Sequence, residues 1–150
     1  MDETMIVPRT VILVDPSSPD GEGGLAVLTS EDRAVTLLLT LGGRSAAALR
    51  EFADAENIDV SIAGLIYLDQ VARRLGPQTD DIETISARGS DPVNEIFHML
   101  QDRPVHRVIV PASLPGLEAG GLSKLLRVCP VPVIVAPRAG AGDGSFPMAS

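Results

Sequence analysis

Short aliphatic runs recur along this chain, separated by turn-rich or helix-patterned segments. Residues 34–41, 60–68, 106–110 and 132–136 are apolar with little alternation, as strands covered on both faces require. Residues 82–87 alternate apolar and polar positions and read as a strand with one exposed side. Between these runs lie helical patterns. Asp91 suits an N-cap and Pro92 the first helical position. Val93, Ile96, Phe97 and Leu100 then fall on one helical face, and Pro104 ends the segment. Residues 45–57, with Ala46, Ala47, Ala48, Leu49, Phe52, Ala53 and Ala55, form a second strong helical segment. A short helix is expected near 121–128. Residues 70–75 read as a helical turn stopped by Gly76 and Pro77. Strands alternating with helices from Ala34 onward predict an α/β fold: an open parallel five-stranded sheet with helices on both faces.

The first 33 residues fit this scheme less simply. Residues 10–14 and 25–29 are candidate strands, and residues 15–24 between them are dense in Asp, Pro, Ser and Gly. This pattern predicts an antiparallel β-hairpin extension over 9–33, added to the edge of a core spanning 34–137. Residues 1–8 read as a flexible start, and the Gly- and Ala-rich residues 138–150 as a disordered tail. The expected organisation is therefore a single domain over 9–137.

Composition narrows the class. Hydrophobic residues make up 45 % of the 150 positions, which is enough for a packed core, whereas aromatics make up 3 %. An aliphatic core suits buried strands and excludes modules that stack bases on aromatic side chains. A net charge of −8 argues against nucleic acid or an anionic membrane as partner. The single cysteine, Cys129, allows no internal disulfide. The acidic N-terminus is no signal peptide, and no apolar run reaches the roughly 20 residues of a membrane span. A cytoplasmic location is expected.

The stretch from Gly89 to Pro137, with Asp91-Pro92 opening a helix and Cys129-Pro130-Val131 leading into a last strand, resembles the C-terminal half of the universal stress protein family. The resemblance extends more weakly to about residue 33. It implies a Rossmann-like fold of the adenine nucleotide alpha hydrolase type and a homodimer that pairs through Val133, Ile134 and Val135. Two registers onto the family compete at the N-terminus. In one, residues 10–15 are the opening strand and Asp15 stands where the family has an Asp near the adenine; a long helix should follow, yet residues 15–24 cannot form one. In the other, which we prefer, residues 34–41 open the fold and Gly42-Gly43-Arg44-Ser45 is the first strand-to-helix turn. Thr40 and Leu41 then replace the family's Asp.

Nucleotide-binding members carry Gly-x2-Gly-x9-Gly-Ser/Thr after the fourth strand. With Gly121 on the second glycine, Glu118 takes the first, and Val131-Pro132 take the distal pair. A carboxylate at 118 would repel a phosphate by roughly 4 kcal/mol at about 4 Å in an effective dielectric near 20. The simpler reading of residues 111–121 is a tight connector. The alternative is a degenerate anion or nucleotide site built from Gly42, Gly43, Arg44, Ser113, Gly116, Gly120, Gly121 and Ser123, with Lys124 and Arg127 nearby.

No Walker loop, nucleophile elbow, metal-ligand spacing or catalytic carboxylate pair is present. His98 and His106 are expected to be structural, and Cys129 a small buried hydrophobe rather than a redox sensor. The sequence therefore points to a non-enzymatic regulatory or stress-response module without ordinary ATP binding and with no cofactor. Two alternatives stand beside it. One is a nucleotide-binding sensor or weak nucleotidase taking ATP or another adenine nucleotide. The other is an adaptor that binds an unidentified protein through the N-terminal extension.

Overall fold

In a computed structural model of the chain, residues 8–18, 22–29, 31–41, 43–75, 79–87, 92–111 and 121–136 are described. Five strands form one sheet: β1 (Arg9–Leu13), β2 (Ala34–Thr40), β3 (Asp81–Ala87), β4 (Val105–Val110) and β5 (Val133–Val135). Their order is β3-β2-β1-β4-β5, and every neighbouring pair is parallel. Four α-helices accompany them: α1 (Gly43–Glu56), α2 (Val60–Ala72), α3 (Pro92–Asp102) and α4 (Gly121–Val128). The expected open parallel sheet with helices on both faces is present.

Successive side chains of a strand face opposite sides, and here both sides are dry. Val11 and Leu13 of β1, Leu38 of β2 and Val108 and Val110 of β4 pack with Val93, Ile96 and Met99 of α3 and Leu125 of α4. Ile12, Val14, Val35, Leu37, Leu39 and Ile109 pack on the other side with Leu49 and Ala53 of α1 and Ala63, Leu68 and Val71 of α2. Cys129 is half-buried against the α3/α4 side, as a small hydrophobe would be. His98 is exposed.

Residues 9–33 depart from expectation. They are not an antiparallel hairpin on the sheet edge. Residues 9–13 are its middle strand, flanked in parallel by β2 (Leu13 opposite Leu38) and β4 (Ile12 opposite Ile109). Residues 9–13 thus open the parallel sheet and residues 34–40 are its second strand, the reverse of the preferred order. Among the described residues, no α-helix lies between the two strands. The segment Gly23–Val27 is a 3-10 helix, not the strand expected at 25–29. Gly24 explains how so short a connection covers the sheet. A Cβ there would lie 2.8 Å from Ile12 Cγ2 and 2.9 Å from Ile109 Cγ2, so the backbone rests directly on two strands. The adaptor reading needed a separable extension, and the segment it would have used is the centre of the sheet.

Residues 60–68 also differ from expectation. They form most of α2, not a strand. Asp59 caps the helix by accepting a hydrogen bond from Ser61 N, and the expected turn at 70–75 is its continuation and end. A short apolar run bounded by polar residues reads equally as buried helix or buried strand. Asn57, in the left-handed region at φ 57°, ends α1 and turns the chain into α2.

A polar cluster holds the helix-free connection at the N-terminal ends of β1 and β4. Asp32, 3 % exposed, accepts from Thr10 Oγ1 at 2.7 Å, Thr29 N at 2.8 Å and Arg107 Nη2 at 2.5 Å. The Thr10 hydroxyl spends its one proton on Asp32, so the 3.3 Å contact with His106 has His106 Nε2–H as donor. A break in the β1–β4 register lies here, with Arg9 opposite Val105 and Thr10 opposite Arg107. His106 is thus structural, as expected. On the other face, Arg9 and Arg103 both bind Glu83, and Arg9 also binds Asp81.

Burial opposes ionisation of Asp32, but its hydrogen bonds from Thr29 and Thr10 and the charge of Arg107 outweigh it and hold the carboxyl below its usual range. Hydrogen bonding from Arg103 does the same for Glu83. A carboxyl lowered in the folded state stabilises fully above its unfolded value, about 4, and loses that contribution as pH falls through the folded value. Stability followed by urea unfolding should therefore drop steeply below about pH 4, and Asp32→Asn should flatten that drop. At neutral pH, Asp32→Asn should cost about 3 kcal/mol, because it leaves Arg107 without its buried counter-charge. Gly24→Ala should cost about 1–3 kcal/mol by the same measurement, since two β-branched core residues would have to move. Gly64→Ala should cost less, because its nearest neighbour is the end of the Leu39 side chain at 3.2 Å.

Candidate functional site

In an open parallel sheet, ligands bind beyond the carboxyl ends of the strands. Here that edge holds the strand ends Leu13, Thr40, Ala87, Val110 and Val135. The buried ionisable group on it is Asp15, two residues past β1 and 0 % exposed. Its Oδ1 accepts from Ser17 N at 2.9 Å, Ser17 Oγ at 2.6 Å and Ser45 Oγ at 2.7 Å. The bonds to Ser17 make an Asx-type turn, the local reason why Asp-Pro-Ser ends the strand. Ser45 belongs to the first turn of α1 and is 1 % exposed, so Asp15 fastens the end of β1 to the start of α1. Oδ2 of Asp15 is buried and has no hydrogen-bond partner among the described residues.

Two further buried oxygens in this half of the sheet share that condition: Tyr67 Oη on α2 and Ser86 Oγ on β3. Burial pushes the Tyr67 phenol well above its usual range, and the Asp15 carboxylate pushes it further. Tyr67 and Asp15 are therefore electrostatic neighbours, although they are 52 positions apart in sequence. Pro16, Leu49, Phe52, Ile66 and Tyr67 help line a cleft of about 200 Å³ between α1 and α2.

The glycine-based candidates fare differently. Gly43 opens α1, and Arg44 in its first turn is exposed. Gly121 opens α4, and Ser123 is exposed on that helix. Gly42, Ser113, Gly116 and Gly120 lie outside the described residues, as do Glu118 and the expected N-cap Asp91. The flexible start and disordered tail expected at 1–8 and 138–150 lie outside them too, apart from Pro8. Val133, Ile134 and Val135 form the edge strand β5, with Val133 and Ile134 half-buried and Val135 39 % exposed. Among the described residues no three His, Cys, Asp or Glu side chains could hold a metal ion. Tyr67 is the residue that sequence reasoning missed, and Asp15 was named only in the register set aside. Asp15 did carry a signal, an Asp closing an apolar run before Pro-Ser. Tyr67 carried none, because residues 60–68 read as a strand.

Comparison with models of known protein families gives no match, and no curated protein is significantly similar. Solved structures are similar. The universal stress protein UspA from Lactobacillus plantarum aligns over 89 % of this chain and 100 % of its own, with a TM-score of 0.57 and 17 % identity. The fold is that of the universal stress proteins. The hypothetical protein MJ0577 shares it over 91 % of this chain and 100 % of its own, at a TM-score of 0.63 and 16 % identity. The hypothetical protein PH0823 matches over 85 % of this chain and 94 % of its own, at 0.53 and 18 %. Among the described residues, the present chain carries a 3-10 helix between β1 and β2 and two α-helices, α1 and α2, between β2 and β3.

Because Oδ1 of Asp15 satisfies three donors and Ser45 supplies only one of them, the two residues should separate in a stability measurement. Asp15→Ala is expected to cost about 2–3 kcal/mol and Ser45→Ala about 1 kcal/mol, read from urea midpoints at unchanged m-value.

Proposed function

We propose that this chain is a regulatory module of the stress response, related to the universal stress proteins, non-enzymatic and without ordinary ATP binding. The supporting observation is at positions 131 and 132. By resemblance, nucleotide-binding members have Gly followed by Ser or Thr there. Val131 is instead half-buried against the α3/α4 side of the core. Pro132 has no N–H to offer a phosphate, and its carbonyl accepts from Val108 N at 2.9 Å on the way into β5. A triphosphate clamp at this point would have to displace core packing. Glu118, which by sequence falls on another glycine of the pattern, adds an unfavourable charge.

A second reading has Asp15 behind it. Its unpaired Oδ2 is an acceptor at the end of β1, where the family places an Asp near the adenine. On that reading the chain holds an adenosine moiety without gripping phosphates. The two readings differ in one experiment. A ligand present at about 100 times its Kd stabilises by about 2.7 kcal/mol, a shift of several degrees in Tm for a chain of this size. ATP with magnesium, and separately adenosine, should leave Tm unchanged on the first reading. A shift with both, abolished by Asp15→Ala, would establish the second, and a larger shift with ATP than with adenosine would overturn the first.

The partner we propose is a second copy, meeting β5 to β5. Val135 is exposed on this open edge, and Leu126 and Val128 of neighbouring α4 are 52 % and 48 % exposed. An apolar edge strand of this kind needs cover. Val135→Asp should convert a dimer to a monomer in sedimentation equilibrium with far-UV circular dichroism unchanged; a wild-type chain that sediments as a monomer would refute the arrangement. We place the protein in the cytoplasm. Among the described residues no helix is long and apolar enough to cross a membrane.

A further inference from the structure

The first two helices do not close on one another. The open cleft of about 200 Å³ between them is walled by Ala48 and Phe52 of α1, Ile66, Tyr67 and Gln70 of α2, and Pro16 from the turn after β1. No charged side chain lines it, and its polar side chains are those of Tyr67 and Gln70. Phe52 is 40 % exposed, so a large apolar surface stands uncovered in the wall. The Tyr67 hydroxyl is buried without a hydrogen-bond partner among the described residues, at a cost of about 1–3 kcal/mol for such a group. Asp15, its electrostatic neighbour, has a buried carboxylate oxygen in the same condition. One group is a donor lacking an acceptor, and the other is an acceptor lacking a donor. A ligand hydroxyl in the cleft can supply the acceptor that the Tyr67 hydroxyl lacks.

We propose that the cleft between α1 and α2 binds a small neutral alcohol or phenol, with its apolar body between Ala48, Phe52 and Ile66 and its hydroxyl against that of Tyr67. The body is about six to eight carbons, given that a dry cavity of about 150 Å³ takes benzene. The ligand is neutral because the nearby Asp15 carboxylate repels an anion and no cation in the wall compensates. It is polar at one end because a hydrocarbon leaves the Tyr67 hydroxyl unpaired. This inference concerns the cleft and stands apart from the nucleotide question at the strand ends.

Tyr67 is the only tyrosine and the chain has no tryptophan, so tyrosine fluorescence reports on this cleft alone. Cyclohexanol, which is transparent at these wavelengths, is the probe. Titration into the full chain is expected to change Tyr67 fluorescence saturably, while methylcyclohexane and cyclohexanecarboxylate give no saturable change. Ala48→Leu, which fills the cleft from α1, should weaken cyclohexanol binding by roughly tenfold or more. Tyr67→Phe should lose the increase in Tm that cyclohexanol gives the unaltered chain. A response merely linear in cyclohexanol, equal binding of the carboxylate, or saturable binding undiminished in Ala48→Leu would each overturn the proposal. Should Ala48→Leu fail to fold, nuclear Overhauser contacts between cyclohexanol ring protons and the Tyr67 ring in the unaltered chain decide: their presence supports the site and their absence refutes it.

Discussion

A strand buried on both faces must find hydrogen-bond partners along two edges and apolar partners above and below, and β1 satisfies all four demands at once. β2 and β4 take its edges. Val11 and Leu13 face the α3/α4 layer, whereas Ile12 and Val14 face α1 and α2. All four side chains are at most 1 % exposed. The rest of the molecule follows from housing this strand. Its connection to β2 has no α-helix among the described residues, and the sheet is covered there by the 3-10 backbone at Gly24 and by the two helices of the next connection. Those two helices, in turn, leave a cleft between themselves.

Two buried carboxylates mark the two ends of this arrangement, and their surroundings differ in kind. Asp32, at the N-terminal end, has both oxygens engaged and a guanidinium beside it. Such a group stabilises and has nothing left to offer. Asp15, at the C-terminal end, has three donors on one oxygen and, among the described residues, none on the other. Parallel sheets place strand ends and helix starts together at that edge, which is why an incompletely satisfied group there is read as chemistry and a satisfied one at the opposite edge as architecture.

What could be read from the chain divides along physical lines. The helix from Pro92 was legible because its apolar residues fall on one face and Pro104 forbids its continuation; Val93 and Ile96 are buried, Phe97 and Leu100 half-buried beside them, and Met99 is buried as well. Strands β2, β4 and β5 were legible from the short aliphatic runs they contain, such as Val108-Ile109-Val110 and Val133-Ile134-Val135. α2 was not, because its buried Ala63, Gly64, Leu68 and Val71 are interspersed with partly exposed Ile62, Leu65 and Ile66, which erases the polar face that distinguishes a helix. The place of β1 was misread because a helix was expected to follow it, and no local pattern announces that one glycine can rest on two isoleucines instead. The site was less legible than the fold for the same reason. Asp15 and Tyr67 meet only once residues 60–72 are a helix.

The pairing of β1 with β4 also bears on how the chain is made. Thr10 and His106 touch across 96 positions of sequence. After leaving the ribosome, β1 therefore waits with one edge open until the 96 positions separating Thr10 from His106 have been synthesised. During that interval an aliphatic ribbon with unpaired N–H and C=O groups is exposed to every neighbour. Slow translation between the second and fourth strands would lengthen this exposure, and a chaperone that shields nascent β-edges would shorten it.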